Sequence, residues 1–162
     1  MIALQKTIED RLRAALAPAV AVALYPALED GMQLPMVALE LDEFAPGIDP
    51  GNNQLGLVAT MQARVILDPN LVDAELLIRQ LAARVALEVH RAHGFGLESV
   101  AAAKIRRLVP DGFSRPELEG YLVWLVEWTH EVDIGEEADL TEPLAPVWGG
   151  GPAGDTPSAE GV

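Results

Sequence analysis

The sequence predicts an α+β fold, with a mostly antiparallel sheet containing one long hairpin, packed by an N-terminal helix and one long central helix. Three observations predict this class. Hydrophobic residues alternate with polar ones over several segments, which is the period of a β-strand. Two other segments carry apolar residues at the three- and four-residue spacing of a helix. The order is helix, strands, helix, strands, in a chain of 162 residues that suits one domain plus an extension.

The first helix is predicted over residues 2–17. One i, i+4 row is entirely aliphatic and consists of Leu4, Ile8, Leu12 and Leu16. Charged side chains lie largely off this row, and Pro18 ends the pattern. The helix should therefore be amphipathic, with one face in the core. The next segment, AVAVALY (19–25), predicts either a short buried strand or a loose connection.

A long hairpin is predicted from two alternating segments. In 36–43 apolar residues occupy every second position, with Glu40 and Asp42 between them, and 55–67 alternates in the same way. The intervening FAPGIDPGNNQLG (44–56) is rich in proline, glycine and asparagine, which favours a mobile loop. The two strands should therefore pair antiparallel, with this loop at the tip.

The central helix is predicted to begin directly after Asp68-Pro69, an N-cap residue followed by proline at the first helical position. Asp73 and Glu75 would place negative charge near the positive end of the helix dipole. The predicted apolar stripe consists of Leu71, Ala74, Leu77, Ile78, Leu81, Val85 and Val89. Gly94 is expected to end the helix in a left-handed conformation.

The last strand is predicted over GYLVWLVEWTHEVDIG (120–135), after another strand in VAAAKIRRLVP (100–110). Its first half is apolar on both faces, so it should be covered on both sides. Its second half has one polar face, formed by Glu127, Thr129, Glu131 and Asp133. This half should emerge onto solvent or a partner, which makes Trp128 a candidate protein-interface residue. His130, on the apolar face, is expected either to be hydrogen-bonded within the structure or to lie in the interface.

Residues 136–162 differ from the rest of the chain. They contain six acids and no base, four prolines and the run Gly149-Gly150-Gly151. The predicted organisation is therefore an α+β domain over 1–135 and an acidic Pro/Gly-rich extension over 136–162. Trp148, in the apolar run PLAPVW, has no local core to enter. Either the segment folds back, a partner receives Trp148, or the residue is an accident of a disordered tail; it is kept as a candidate interface residue.

Composition limits the classes of partner. The formal net charge is −14, which disfavours nonspecific binding to phosphate backbones and anionic lipids. There is no cysteine, so disulfides and thiolate chemistry are excluded. No apolar run is long enough to cross a bilayer, and the N-terminus does not have the pattern of a signal peptide. We therefore expect a protein made in a cytoplasm-like compartment, with no membrane partner.

No catalytic residue, metal site or cofactor is expected. Glu127, Glu131 and Asp133 share a strand face and could bind a hard cation, but charge that protects an exposed strand face explains them with fewer assumptions. His90 and His93 have the spacing of a zinc-binding pair, yet no third ligand is evident nearby. Their position at a helix C-terminus explains them better. Neither a phosphate-binding glycine loop nor a serine nucleophile motif occurs.

The densest basic group is formed by Lys104, Arg106 and Arg107. It is too short for a nucleic-acid tract and lacks interleaved aromatic residues. Its expected complement is the acidic surface of a partner, such as a neighbouring copy of this acidic chain. Arg106 and Arg107 are therefore candidate interface residues.

Residues 2–135 resemble the tail terminator (tail completion or minor tail) proteins of long-tailed bacteriophages. The similar stretches are TIEDRLRAAL, LPMVALEL, MQARVIL leading into DPNLVDAELLIRQLAARVALEVH, and the strand GYLVWLVEWTHEVDIG. The acidic extension beyond residue 135 departs from the compact pattern of the family.

The resemblance implies a structural virion protein, assembled in the host cytoplasm and located in the neck region of the tail. Such a subunit forms a ring, commonly a hexamer, on the last ring of the tail tube protein. It ends tube growth and presents a surface to the head or neck connector protein. DNA would pass through without specific binding, which suits an acidic subunit.

Three alternatives stay open at this point. Another head-tail joining (neck) protein would share the composition and the ring assembly. A small metal-dependent or hydrolytic enzyme would use Glu127, Glu131, Asp133 and a histidine. An accessory binding domain would recognise a cellular protein through PLAPVW.

Overall fold

The computed structural model describes residues 1–29, 31–111 and 115–136. Two α-helices, five strands and a short 3₁₀ helix are present in this part of the chain. They are α1 (Ile2–Leu16), β1 (Ala21–Leu24), β2 (Met36–Pro46), β3 (Leu55–Leu67), α2 (Ala74–Ala92), β4 (Lys104–Pro110), the 3₁₀ helix (Pro116–Leu118) and β5 (Leu122–Ile134). No helix in the described ranges is long and apolar enough to span a bilayer.

The strands form one sheet in the order β1-β2-β3-β5-β4. Only β1 and β2 are parallel, and the other three neighbouring pairs are antiparallel. The predicted α+β class, with a mostly antiparallel sheet, is confirmed.

The predicted hairpin is formed by β2 and β3, but β2 is longer than expected. It continues into the segment predicted as loop, because Phe44, Ala45 and Pro46 pair with Ala59, Val58 and Leu57. Proline is tolerated there since it is the last residue of the strand and leaves no interior ladder bond unmade. The mobility predicted for the loop stays a prediction.

Both helices pack on one face of the sheet, as their apolar stripes predict. The row Leu4, Ile8, Leu12 and Leu16 of α1 is buried, and so are Ile78, Val85 and Val89 of α2. They contact the inward side chains of the central strands, which include Leu39, Ala63, Val65, Val126 and Trp128. This layer is the main hydrophobic core.

A smaller apolar cluster covers part of the opposite face. Its buried residues are Met36, Ala38, Ile66, Leu118 and Val123. The first half of β5 is therefore covered on both sides, as its sequence predicts. The remainder of this face carries the polar side chains of β2, β3, β4 and β5, and is called the helix-free face below.

The start of α2 differs from the prediction. The helix begins at Ala74 rather than directly after Asp68-Pro69, and Asp73 occupies the N-cap position with φ 57°. The side chain of Asp68 is used earlier, because its Oδ1 accepts a hydrogen bond from Asn70 N at 2.8 Å. Asp68 thus closes a local turn instead of capping the helix. As a consequence Leu71 lies outside α2 and is exposed, and Leu77 is exposed as well.

The C-terminus of α2 also differs in detail. His93, not Gly94, has the positive φ, at 51°. Gly94 is required for another reason, since a Cβ on it would lie 2.3 Å from the carbonyl oxygen of Val100. The chain therefore folds back tightly on itself after α2. Ser99 and Ala101 then hydrogen-bond to the end of β5, and β4 begins later than predicted, at Lys104.

Candidate functional site

The helix-free face carries one connected set of polar side chains. Strand register explains it, because Glu40 of β2, Gln62 of β3, Glu127 of β5 and Arg107 of β4 are successive cross-strand neighbours. Residues opposite each other on paired strands project to the same face, so these four side chains lie in one row across the sheet. With Arg64, Asp111 and Arg115 they form what is called the polar network.

Arg64 is the centre of the polar network. Its Nε donates to Asp111 Oδ2 at 2.8 Å, its Nη2 donates to Gln62 Oε1 at 3.0 Å, and its Nη1 donates to Glu40 Oε1. Burial alone lowers the pKa of Arg64, but the hydrogen bonds and charges of Glu40 and Asp111 outweigh it and raise the pKa above its ordinary value. The guanidinium is therefore charged and held in place at the middle of this face.

Further pairs extend the polar network to both sides. Arg115 Nη2 donates to Glu40 Oε2 at 2.5 Å. Gln62 Nε2 donates to Glu127 Oε2 at 2.8 Å, and Arg107 binds both oxygens of Glu127 at 3.1 Å. Three arginines thus face three carboxylates, and no buried side-chain nitrogen or oxygen in the described part of the chain lacks a partner. The charges at the centre of the helix-free face are therefore paired and balanced.

Trp128 and His130 lie in the core rather than on a surface. Both side chains have 0% exposure and face the helices. Their burial disagrees with the predicted interface role, because α2 and the segment after it cover the apolar side of β5 along its second half. The face of β5 that does emerge from the core is the one carrying Glu127 and Glu131.

His130 is a hydrogen-bonded structural residue, which was the other expectation for it. Trp128 Nε1 donates to His130 Nε2 at 3.1 Å, so Nε2 carries no proton, and His130 Nδ1 donates to the carbonyl of Ala101 at 2.9 Å. Burial lowers the pKa of His130, and the hydrogen bond to Ala101 opposes this only in part. The neutral imidazole therefore joins β5 to the chain that precedes β4.

The basic residues of β4 lie on the last strand of the described sheet. Lys104 Nζ is 2.5 Å from Glu131 Oε1, and Arg107 is engaged by Glu127. Arg106 is exposed and makes no ion pair with the residues that the structure describes. It lies between Ile105 and Arg107, where the register with β5 shifts as in a β-bulge. Trp148, the remaining candidate, lies outside the described residues.

Two of the three carboxylates considered for a metal form ion pairs with basic residues. Glu127 and Glu131 are paired with Arg107 and Lys104. Within the described ranges, no three histidine, aspartate or glutamate side chains are grouped as metal ligands would be. The rings of His90 and His93 are near each other, with centroids 6.3 Å apart, on the exposed end of α2.

A cleft of about 340 Å³ lies between the hairpin loop and residues 98–101. Its lining includes Glu98, Glu131 and Asp133, together with Ser99. Ser99 has no histidine among the residues that line the cleft with it. The arrangement can repel anions and accept hydrogen bonds.

Sequence reasoning missed the residues that organise the polar network, namely Glu40, Arg64 and Asp111. The signal for Arg64 was its position in the run ARVIL, since an arginine inside an otherwise apolar strand must find buried partners. Its partners could not be identified, because they come from two other parts of the chain. The exposed apolar side chains of α2 were also missed, notably Leu76 at 63% and, just before the helix, Val72 at 84% exposure.

The fold is similar to that of a chain in a solved virion structure. A chain in the virion of a native gene transfer agent (GTA) particle superposes with a TM-score of 0.55 at 17% sequence identity. The likeness covers 81% of this chain and 95% of that chain. No protein-family model and no curated protein sequence matches the chain.

Proposed function

We propose that this chain is a structural protein of a phage tail or phage-tail-like particle. In this role it caps the tail tube, ends its polymerisation and forms the joint to the head or neck connector. The observation that carries the proposal is the fold likeness to a chain of a gene transfer agent virion, which extends over nearly the whole length of that chain. The resemblance of residues 2–135 to tail terminator proteins points to the same role.

The proposed action is assembly without catalysis. Glu127 and Glu131, the carboxylates best placed for chemistry on the open sheet face, are neutralised by Arg107 and Lys104. A face of fixed, paired charges presents a defined pattern to another protein surface.

In the proposed assembly the chain forms a ring, with six copies as the expected number, in the neck region of the virion. Each subunit contacts the next through two different patches, as a ring requires. The tail tube protein binds one side of the ring and the connector binds the other. A net charge of −14 per subunit lets DNA pass through the ring without adhering.

The proposal is tested by adding the purified chain to polymerising tube protein from the same particle. Tubes should become shorter as the ratio of this chain to tube protein rises, and electron micrographs should show the chain at one tube end. A chain that leaves tube length unchanged but binds the portal side would instead be a neck protein. Binding to neither would contradict a role in the joint.

A metal-dependent enzyme is the rival from another class, and metal analysis separates it. The purified chain should contain no stoichiometric metal. The informative variants are Glu127→Ala, Glu131→Ala and Asp133→Ala, with Glu117→Ala and Glu119→Ala as matched exposed carboxylates. Stoichiometric metal that is lost only in the first set would overturn the structural role.

A further inference from the structure

Within the described residues, the β1 side of the sheet has one covered and one uncovered stretch. The outer edge of β1 is covered by α1, because Arg13 Nη2 donates to Val22 O at 2.9 Å and Leu24 N donates to Glu9 Oε1 at 3.3 Å. Tyr25 then covers the next position, where its hydroxyl accepts a hydrogen bond from Leu41 N at 3.0 Å. Side chains thus form hydrogen bonds with backbone groups along this edge as far as Leu41.

Beyond Leu41 no described strand pairs with the outer edge of β2, since β1 pairs only with Met36–Leu39. Residues 42–46 are called the acidic edge here. Asp42, Glu43 and Phe44 are exposed, and the two carboxylates make no ion pair with residues that the structure describes. Asp42 lies at a register shift between Leu41 and Glu43, as in a β-bulge.

The opposite edge of the sheet has the opposite charge. Strand β4 is the last strand on that side of the described sheet, and it is called the basic edge here. It carries Lys104, Arg106 and Arg107, and Arg106 occupies its register shift. Each edge therefore has one exposed charged residue at a bulge, Asp42 on one side and Arg106 on the other.

The two edges lie at the same level of the sheet. Glu43 pairs with Thr60, Thr60 pairs with Thr129, and Thr129 pairs with Lys104. The Glu43 and Lys104 side chains consequently project to the same helix-free face, at opposite ends of one cross-strand row.

The strand directions are also compatible with contact between copies. Three successive antiparallel pairings separate β2 from β4, so these two strands run in opposite directions. A second copy in the same orientation, placed beside the first along the sheet, would bring its β4 antiparallel to the first copy's β2. Lys104 is then level with Glu43, whereas residues 108–110 are level with residues 37–39, where β1 lies, so only the start of β4 contacts the acidic edge.

We propose that the acidic edge of one copy binds the basic edge of the next, with Asp42 and Glu43 facing Lys104 and Arg106. The inference rests on the proposed ring and specifies its subunit contact. The contact is heterologous, because two different edges meet, and such contacts close into a ring when the rotation between copies permits. Opposite charges favour this pairing and oppose acidic-to-acidic and basic-to-basic contacts.

A second copy accounts for both edges, whereas a nucleic acid accounts for only one. Phosphates would be attracted to the basic edge alone. The acidic edge would repel the same phosphates. An identical chain supplies the complement of each edge at once.

The test uses two single charge reversals in the full-length chain, Asp42→Lys and Arg106→Glu. Each should weaken self-association roughly tenfold or more, because each places like charges at the contact. An equimolar mixture of the two variants should assemble again. Both bulge positions are positive in the Asp42→Lys copies and both are negative in the Arg106→Glu copies, so in an alternating ring every contact joins opposite charges. The double variant D42K/R106E should likewise assemble with itself.

Two control variants, Glu117→Lys and Arg91→Glu, have the same charge changes at exposed positions elsewhere. They should assemble like the unmodified chain.

Sedimentation and native mass measurements, alone and with tube protein, distinguish the outcomes. Assembly of Asp42→Lys and Arg106→Glu equal to that of the unmodified chain would overturn the edge contact and leave the ring intact. Loss of assembly that neither the mixture nor the double variant restores would also overturn it, because the two charges then do not face each other. If the unmodified chain never self-associates, even with tube protein, the proposed ring fails as well.

Discussion

Arg64 shows at the scale of one residue how a charge is accommodated inside a sheet. Only 8% of its side chain is exposed, and its guanidinium binds two carboxylates and an amide. Such a group is stable only with partners, because an unpaired buried charge is strongly unfavourable. Arg64 therefore fixes the positions of Glu40 and Asp111, which come from β2 and from the residue just after β4.

Arg64→Met is expected to lower the free energy of unfolding by about 3 kcal/mol, since it leaves Glu40 and Asp111 without their central cation. Urea unfolding followed by circular dichroism measures the change. Arg91→Met is the matched control, because the Arg91 side chain is 60% exposed and its ion pair with Glu88 is long, at 3.7 Å. This substitution should change the free energy of unfolding by less than about 0.5 kcal/mol. Equal effects of the two substitutions would contradict the organising role of Arg64.

His130→Phe is expected to lower the free energy of unfolding by about 2–4 kcal/mol, because Trp128 Nε1 and Ala101 O each lose a partner. Urea unfolding at pH 7.5 provides the measurement. Stability close to that of the unmodified chain would show that these two hydrogen bonds are not required.

The pH dependence gives a second test of His130. Its pKa is lowered in the folded chain from the ordinary 6.5, so below about pH 6.5 the unfolded chain binds more protons. The free energy of unfolding should therefore fall as the pH decreases from 7.5 to 5.5. The fall should be smaller in His130→Phe, and an identical fall in both proteins would contradict a buried neutral imidazole.

At the scale of elements, the turn after α2 determines how the next segment meets β5. Gly94→Ala would place a Cβ 2.3 Å from Val100 O, so the backbone of residues 94–101 must move. We expect a loss of about 1–3 kcal/mol in the free energy of unfolding. Ser99→Ala is the control, because Ser99 is an exposed neighbour with no comparable contact. Its thermal unfolding should match that of the unmodified chain. A stable Gly94→Ala protein would mean that this turn adapts without strain.

Most elements could be predicted from the sequence because their patterns are local. The i, i+4 row of α1 and the alternation of β2, β3 and β5 identified each element and its buried face. The start of α2 was missed because Asp68-Pro69 has the same local chemistry as a helix start and as the turn that it forms. The burial of Trp128 could not be predicted from the local sequence either, because it depends on how α2 crosses β5.

The candidate site could be predicted only in part, for the same reason. The charges of β4 and the polar face of β5 are visible as residue types. Their pairing with each other, and the link from Arg64 to Asp111, depend on the strand order β3-β5-β4. That order joins residues far apart in the chain, and hydrophobic periodicity carries no information about it.

At the scale of the whole molecule, the predicted boundary between residues 135 and 136 can be tested by truncation. A chain that ends at residue 136 should unfold within about 2 °C of the full-length protein, because the core and its polar partners lie within the described residues. Calorimetry checks this. Loss of a cooperative transition would show that residues 137–162, with Trp148, are part of the fold.

The same truncated chain addresses the binding-domain alternative. Intact assembly together with the loss of one host partner would favour recognition through PLAPVW. Unchanged assembly and unchanged partners would agree with the ring and edge contact proposed above, in which all the named residues lie before residue 136.

The central claim is that this chain acts by assembling on a tail tube, and native mass measurement tests it most directly. The full-length chain should be measured alone and with tube protein from the same particle. We expect a closed oligomer, with six copies, that binds tube ends in a fixed ratio. A chain that stays monomeric at every concentration and does not bind the tube protein would contradict the claim.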